Sequence, residues 1–273
     1  MNIQELTKNL VLSPNEIWVS QKSSKVAFPE DGHKECSYVE AESFWFKHRN
    51  NCLIAAIKNF PPLGAIFDIG AGNGYVSLAL KENGFDTVVV EPGLVGAHNA
   101  KSKGLTVICS TLEDAGFFPN SMNAIGLFDV LEHIEMDKDF LAQLKDLLKA
   151  EGKLYLTVPA YNFLWSVEDE ITGHYRRYRL GELVKTLESV GYKIEYSSYF
   201  FSFLPLPIFL LRTIPSKLGW RQEGSLETTQ KEHKPKLGIA GQILEKYLSL
   251  ETALIKRQKY IPIGGSCLVI AKK

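Results

Sequence analysis

Short apolar runs closed by glycine or an acid alternate along this chain with longer stretches whose apolar residues recur every three or four positions. Ala65 to Ile69 is such a run and reads as a strand buried on both faces. Val76, Leu78, Ala79 and Leu80 then start a helix that Asn83-Gly84 ends, and Thr87 to Val90 is a second strand closed by Glu91. Further strands are predicted at Leu105–Cys109, Ala124–Phe128, Lys153–Val158, Lys193–Ser197 and Ser266–Ala271. Helical spacing marks Ser37 to Phe60, with Phe44, Trp45, Phe46, Leu53, Ile54, Ala56 and Ile57 on one side and Pro61-Pro62 as the stop. Asp137 caps a helix with Phe140, Leu141, Leu144, Leu147 and Leu148 as its buried stripe, ended by Gly152. Leu183, Leu187 and Val190 mark the next helix, broken by Gly191. Strands alternating with helices predict an α/β chain around a mostly parallel sheet.

Two stretches depart from that alternation. Residues 1–35 are polar and irregular apart from Ile17-Trp18-Val19, and predict an arm lying over the domain. Tyr199 to Leu211 is intensely apolar with two prolines, too short and broken for a bilayer span of about 20 residues. It is expected to cover a substrate pocket or pack on the sheet; exposed, the segment 199–212 would make a peripheral membrane contact, and Arg212 and Lys217 suit an anionic interface. Residues 216–236 read as a mobile loop. Ile239, Ile243, Tyr247, Leu250 and Leu254 then form an amphipathic stripe expected to support the apolar segment. The division that follows is an arm and lid helix over 1–60, a core over 61–198, an apolar and helical insertion over 199–259, and a final core strand over 260–273.

The 273 residues can hold one large domain with additions, and 45% hydrophobic residues supply its core. With 31 basic and 31 acidic residues, nothing global attracts nucleic acid, and no nucleic-acid partner is expected. Cys36, Cys52, Cys109 and Cys267 have neither metal-ligand spacing nor the density of a secreted disulfide scaffold, and no metal is expected. MNIQELTKNL lacks the apolar core of a signal peptide, so the simplest compartment is the cytoplasm, with membrane association through the apolar segment.

The chemistry concentrates where the first strand ends. Asp68 is followed by Gly70-Ala71-Gly72-Asn73-Gly74, where glycine lets the backbone turn sharply and approach a ligand. Glu91, at the end of the second strand, is placed to accept hydrogen bonds from a ribose diol and disfavours a 2′-phosphate. The third glycine comes one residue early for a dinucleotide fingerprint, and Tyr75 stands where such a fold wants Gly or Ala. No Lys-Ser/Thr pair follows, which excludes a P-loop. A ligand with a ribose diol, an adenine and a zwitterionic tail fits: S-adenosylmethionine. DIGAGNG, VVVEP and FDVLEHI resemble the motifs of class I S-adenosylmethionine-dependent methyltransferases. The resemblance implies a seven-stranded Rossmann-like sheet of order 3-2-1-4-5-7-6 with strand 7 antiparallel, an N-terminal helical lid, and a helical insertion between strands 6 and 7. It also places Leu112 and Glu113 beside the adenine, and Asp129 and Val130 along the methionine end. Some relatives acting on catechol-like substrates use acids and a histidine here for a divalent metal; Glu132-His133 matches only part of that pattern.

The segment after the fifth strand, PAYNFLWSVEDEITGHYRRYRLGEL, lies above the expected methyl donor. His174 could take a proton from a hydroxyl, with Asp169 orienting it. Arg176 and Arg177 could grip a phosphate or carboxylate, and Trp165 and Tyr175 join the acceptor site. The helix over Ser37 to Phe60 is expected to pack on the sheet edge, with Tyr38, Phe44 and Trp45 as part of a lid over the cofactor as the alternative. A salt-bridged loop whose charges only fix its own shape is the competing reading. The segment also resembles one found in a bacterial methyltransferase subgroup linked with saccharide or lipid biosynthesis. The expected reaction is methyl transfer to a hydroxyl of a small or lipid-linked acceptor, with C- or N-methylation as the alternative. An NAD-dependent oxidoreductase or epimerase would want a GxGxxG and a Tyr-x-x-x-Lys, neither of which is present; a non-catalytic cofactor-binding scaffold would keep the same glycines.

Overall fold

The computed structural model describes residues 2–21, 43–220 and 239–273. The elements run β1 (Leu10–Leu12), β2 (Trp18–Ser20), α1 (Phe44–Asn59), β3 (Ile66–Ile69), α2 (Tyr75–Glu82), β4 (Thr87–Val90), α3 (Leu94–Ser102), β5 (Thr106–Cys109) and α4 (Leu112–Ala115). They continue as β6 (Met122–Phe128), α5 (Asp137–Leu147), β7 (Leu148–Pro159), α6 (Val167–Ile171), α7 (Leu180–Ser189), β8 (Lys193–Phe200), α8 (Pro205–Ile208), α9 (Ile214–Lys217), α10 (Ile239–Lys256) and β9 (Ser266–Lys272).

The sheet order is β1-β2-β5-β4-β3-β6-β7-β9-β8. Its last seven strands are those expected, in the expected order, with β9 antiparallel between β7 and β8. The sheet nevertheless has nine strands rather than seven. Within the described residues 2–21 the expected arm joins the sheet edge instead of lying over the domain: β1 and β2 form a hairpin, and β2 pairs parallel to β5 through Trp18↔Ile108. Ile17 anchors it in a small cluster with Val89 and Val107, while Asn9 Nδ2 and Ser20 Oγ each donate to the Asp114 carbonyl at 3.0 Å.

Strand periodicity sorts the core into two layers. Leu154, Leu156 and Val158 face α5 and α7 with Leu141, Leu144, Leu183 and Leu187, whereas Tyr155 points to the opposite layer, where Leu53, Ile57 and Leu80 lie. α1 starts where Ser43 Oγ accepts from Trp45 N at 3.1 Å, which caps the orphan amide. Leu148, read as part of the α5 stripe, is the first residue of β7. The chain bulges between the pairs Met122↔Leu148 and Ala124↔Lys153, with Glu151 at φ 64, so Gly152 lies inside the irregular strand rather than ending a helix.

α10 sits on α1, but not by the expected stripe. Ile243, Tyr247, Leu250 and Leu254 are exposed, while Leu248, Glu251 and Ile255 are buried. The helix carries two neighbouring faces that could pack, and the inner one wins because Glu251 finds His48 Nε2 at 2.6 Å and the amides of Phe201 and Ser202 at 2.7 and 2.8 Å. The apolar segment divides likewise. Tyr199, Phe200 and Phe201 are buried, and Leu206, Leu210 and Leu211 are exposed around the π-turn Phe209–Thr213. Most of the loop expected over 216–236 lies outside the described residues. No helix among the described residues is long and apolar enough to cross a membrane.

Candidate active site

β3 lies between β4 and β6, so the chain reverses its winding direction there and the carboxyl ends of these strands open a crevice. Gly70, Gly72 and Gly74 line its floor at φ +69°, +54° and +76°, a region side chains avoid. A Cβ on Gly70 would lie 2.9 Å from Val130 Cγ2, and one on Gly74 would lie 2.8 Å from both Ala100 Cβ and Leu105 Cδ1. Gly74 therefore supplies the close packing that Tyr75 could not. Glu91 is buried at the end of β4, its Oε2 accepting from Gly72 N and its Oε1 from Gly93 N, each at 2.7 Å. These two bonds fix the carboxylate at the end of β4, beside the glycine loop. Asp68 sits beneath the loop, buried, accepting from Ser77 Oγ at 2.7 Å. Burial pushes its carboxyl up to about 7, against the pull of that hydrogen bond.

Leu112 and Glu113 open α4 after β5. Leu112 is buried in the core and Glu113 is exposed, accepting from Gln143 Nε2 at 3.3 Å. Asp129 and Val130 follow β6. Asp129 is held at φ +58°, with Arg49 Nη1 donating to Oδ2 at 2.6 Å and Thr157 Oγ1 to Oδ1 at 3.1 Å. The Arg49 guanidinium lies 4.9 Å over each of the Trp45 and Phe46 rings, and Trp45 stacks on Phe201 at 5.3 Å. α1 thus reaches the crevice through a cation seated against an edge-to-face pair of aromatic rings.

The segment after β7 folds around Asp169. This buried carboxylate accepts from Arg177 Nε and Nη2 at 2.7 and 2.9 Å, from Ser166 N at 2.9 Å, and meets His174 Nδ1 at 2.8 Å. Burial alone would raise its carboxyl, but the bonds from His174 and Arg177 outweigh it and hold the group at about 2. Arg177 is buried in this pair rather than open to a ligand, whereas Arg176 reaches outward to Asp137 Oδ2 at 2.9 Å and the Glu135 carbonyl at 2.6 Å. Tyr175 is exposed, with its amide donating to the Glu132 carbonyl at 2.8 Å, and Trp165 Nε1 donates to Glu170 Oε1 at 3.3 Å. Phe44 begins α1 and Tyr38 lies outside the described residues.

The fold therefore brings Asp68, the three glycines, Glu91, Asp129 and Val130 to one crevice, and joins Asp169 to His174. It turns Glu113 and Arg177 to other partners. Arg49, which the sequence did not single out, completes the site together with Glu132 and His133, which it did. Arg49 lies four residues from both Trp45 and Leu53, a charge on an otherwise apolar helix face, and such a charge demands a buried partner. Glu132 is 1% exposed, and burial with nearby Asp129 raises its carboxyl well above the usual range. His133, whose ring centroid lies 4.7 Å from that of His174, is pulled down to about 4 by burial and then by that neighbour.

A family model described as a methyltransferase domain matches residues 40–197. No curated protein matches the chain. Among solved structures, phosphoethanolamine N-methyltransferase 2 of Haemonchus contortus, in complex with S-adenosyl-L-methionine, is similar at TM-score 0.53 and 17% identity; the match covers 90% of this chain and 57% of that one. An S-adenosylmethionine-dependent methyltransferase of Thermotoga maritima matches at 0.54 and 18%, covering 88% and 97%. The [4+2]-cyclase SpnF matches at 0.56 and 14%, covering 92% and 99%. At these identities the likeness establishes the fold alone, and a cyclase among the neighbours shows that the fold does not dictate the reaction.

Proposed function

The chain belongs to the methyltransferase-domain family, the S-adenosylmethionine-dependent class, and we propose on that premise that it methylates a hydroxyl of an amphipathic, small or lipid-linked acceptor. When bound, S-adenosylmethionine supplies an electrophilic methyl group. The residues present fit it: three left-handed glycines leave room for its amino-acid tail, the Glu91 carboxylate is held at the end of β4 where a ribose diol would lie, and Asp129 and Val130 stand at the end of β6. These groups bind and orient, which is most of what in-line transfer asks of a protein.

The observation that carries the hydroxyl reading is the Asp169–His174 contact at 2.8 Å. A carboxylate on Nδ1 fixes the ring's tautomer and leaves the other nitrogen to act on an acceptor hydroxyl, directly or through a bound ion. The lipid-linked reading rests on exposed apolar residues, Leu206 and Leu211 at 66% and Trp220 at 78%, in the same stretch of chain as Arg212 and Lys217. A peripheral contact with an anionic membrane follows from that surface.

Calorimetric titration with S-adenosylhomocysteine, with NAD as control, tests the donor. Mass-spectrometric screening of hydroxyl against amine acceptors, in detergent and in vesicles, tests the acceptor. Micromolar S-adenosylhomocysteine binding with a hydroxyl gaining one methyl is the expected result. Tight NAD binding would overturn the donor assignment, and methylation confined to amines would overturn the hydroxyl assignment.

A further inference from the structure

We propose that Glu132, His133 and His174 form a divalent-cation site at the edge of the donor crevice. The proposal rests on the methyltransferase reading for its role but not for its existence. Leu131–His133 is a single 3₁₀ turn directly after Asp129 and Val130, and His174 comes from the segment after β7, so separate parts of the fold converge here. One ligand atom from each of the three side chains lies within 4.8 Å of the other two.

The first observation is an orphan. Glu132 Oε2 is buried and has no hydrogen-bond partner. A buried carboxylate oxygen without a donor is costly, and native folds keep such groups when something else satisfies them. The second is that His174 is set as a ligand, with His133 beside it. His174 is fixed through Nδ1 on Asp169, itself locked by Arg177 and Ser166, the carboxylate–histidine arrangement that orients a metal-binding imidazole. His133 comes from the same 3₁₀ turn as Glu132, and its ring centroid lies 4.7 Å from that of His174. The two rings meet at 80° rather than stacking, which suits nitrogens converging on one point.

A second cluster sharpens the contrast. His48, Cys52 and Glu251 are equally close, but Glu251 already accepts from His48, Phe201 N, Ser202 N and Ser202 Oγ. That cluster is a completed hydrogen-bond network; the one at Glu132 is not.

Two imidazoles and one carboxylate suit zinc, manganese, iron or cobalt in the divalent state better than magnesium or calcium, which prefer all-oxygen sets. Three protein ligands leave positions open. An acceptor oxygen bound there would lose its proton to solvent more readily. It would form the new oxygen–carbon bond as the donor's sulfur–carbon bond breaks, with the bonding pair remaining on sulfur. His174 then acts through the ion rather than as the proton acceptor itself.

The test uses chelator-treated full-length protein titrated with Zn²⁺, Mn²⁺ and Co²⁺ by calorimetry, with visible absorption following Co²⁺. One ion per chain is expected, with affinity reduced at least 30-fold in Glu132→Gln and in His174→Ala and unchanged in His48→Ala. Melting curves and S-adenosylhomocysteine titrations on the same samples report whether each variant is folded. Glu132→Gln keeps the shape of a buried acid whose Oε2 has no hydrogen-bond partner, so it keeps the test decisive should His174→Ala fail to fold. Binding that persists in Glu132→Gln, that disappears only in His48→Ala, or that is absent from the folded unsubstituted protein would overturn the proposal. Loss of S-adenosylhomocysteine binding with the ion still bound would instead overturn the methyltransferase reading.

Discussion

Replacing Asp169 by asparagine removes one negative charge from a place where four groups converge on it and water does not reach. Arg177 would keep its buried guanidinium, now facing a neutral amide, and Ser166 N and His174 Nδ1 would compete for one remaining oxygen. Breaking a buried pair by deleting one partner costs about 3–5 kcal/mol, because the survivor's charge is left uncompensated. The asparagine retains part of the hydrogen bonding, so we expect a loss of about 3 kcal/mol, or roughly 6–12 °C in Tm for a chain of this size. Acid titration gives an independent figure. A carboxyl held at about 2 instead of its ordinary value near 4 contributes about 2–3 kcal/mol at neutral pH. Because the folded value is depressed, that contribution is complete above pH ~4 and disappears as the pH falls toward 2. Urea denaturation followed by circular dichroism, at pH 7 and in steps down to pH 2, measures both. The gap between native and Asp169→Asn should close over that acid window, and adding Arg177→Met to the variant should restore part of the loss. A neutral-pH gap below about 1 kcal/mol, or a double variant weaker than the single one, would refute the reasoning.

Other expectations are as specific. Glu91→Ala removes charge-assisted bonds worth about 1.5–3 kcal/mol each and should weaken S-adenosylhomocysteine binding 10- to 100-fold by calorimetry, with Glu91→Gln intermediate; unchanged affinity in both would discard Glu91 as a ribose ligand. Gly74→Ala forces a methyl to within 2.8 Å of Ala100 and Leu105 at a left-handed φ, and should lose about 1–3 kcal/mol in urea denaturation, whereas an unaffected midpoint would mean α2 and α3 can separate freely. Leu206→Lys with Leu211→Lys should leave Tm within about 2 °C while cutting sedimentation with anionic vesicles several-fold. Equal sedimentation would remove the basis for a membrane-facing surface.

The seven core strands and their order were legible because each is a short apolar run bounded by glycine, proline or an acid, and because the fold places the loops in one crevice. What escaped the sequence depended on partners far along the chain. The orientation of α10 could not be read: its outer stripe is as regular as its inner one, and the inner face is chosen by Glu251, whose partner His48 is 203 residues away. Arg176 and Arg177 look equivalent as letters, yet successive residues of an extended segment point opposite ways, so one enters the interior and the other the surface. The N-terminal hairpin was hidden for a different reason. Its strands are three residues each and mostly half-exposed, leaving no hydrophobic run long enough to register.

The position of β9 has a consequence for how the protein is made. It fills the gap between β7 and β8, pairing along seven residues with each edge, and it emerges from the ribosome after every other described strand. Until Ser266 to Lys272 appears, two long rows of backbone amides and carbonyls face each other without partners, which is the geometry that recruits a second chain. Synthesis thus passes through an interval in which the crevice residues already exist but the sheet below them is split. A nascent chain stalled before β9 should be captured by chaperones or aggregate, while one in which β9 is free to pair closes the sheet.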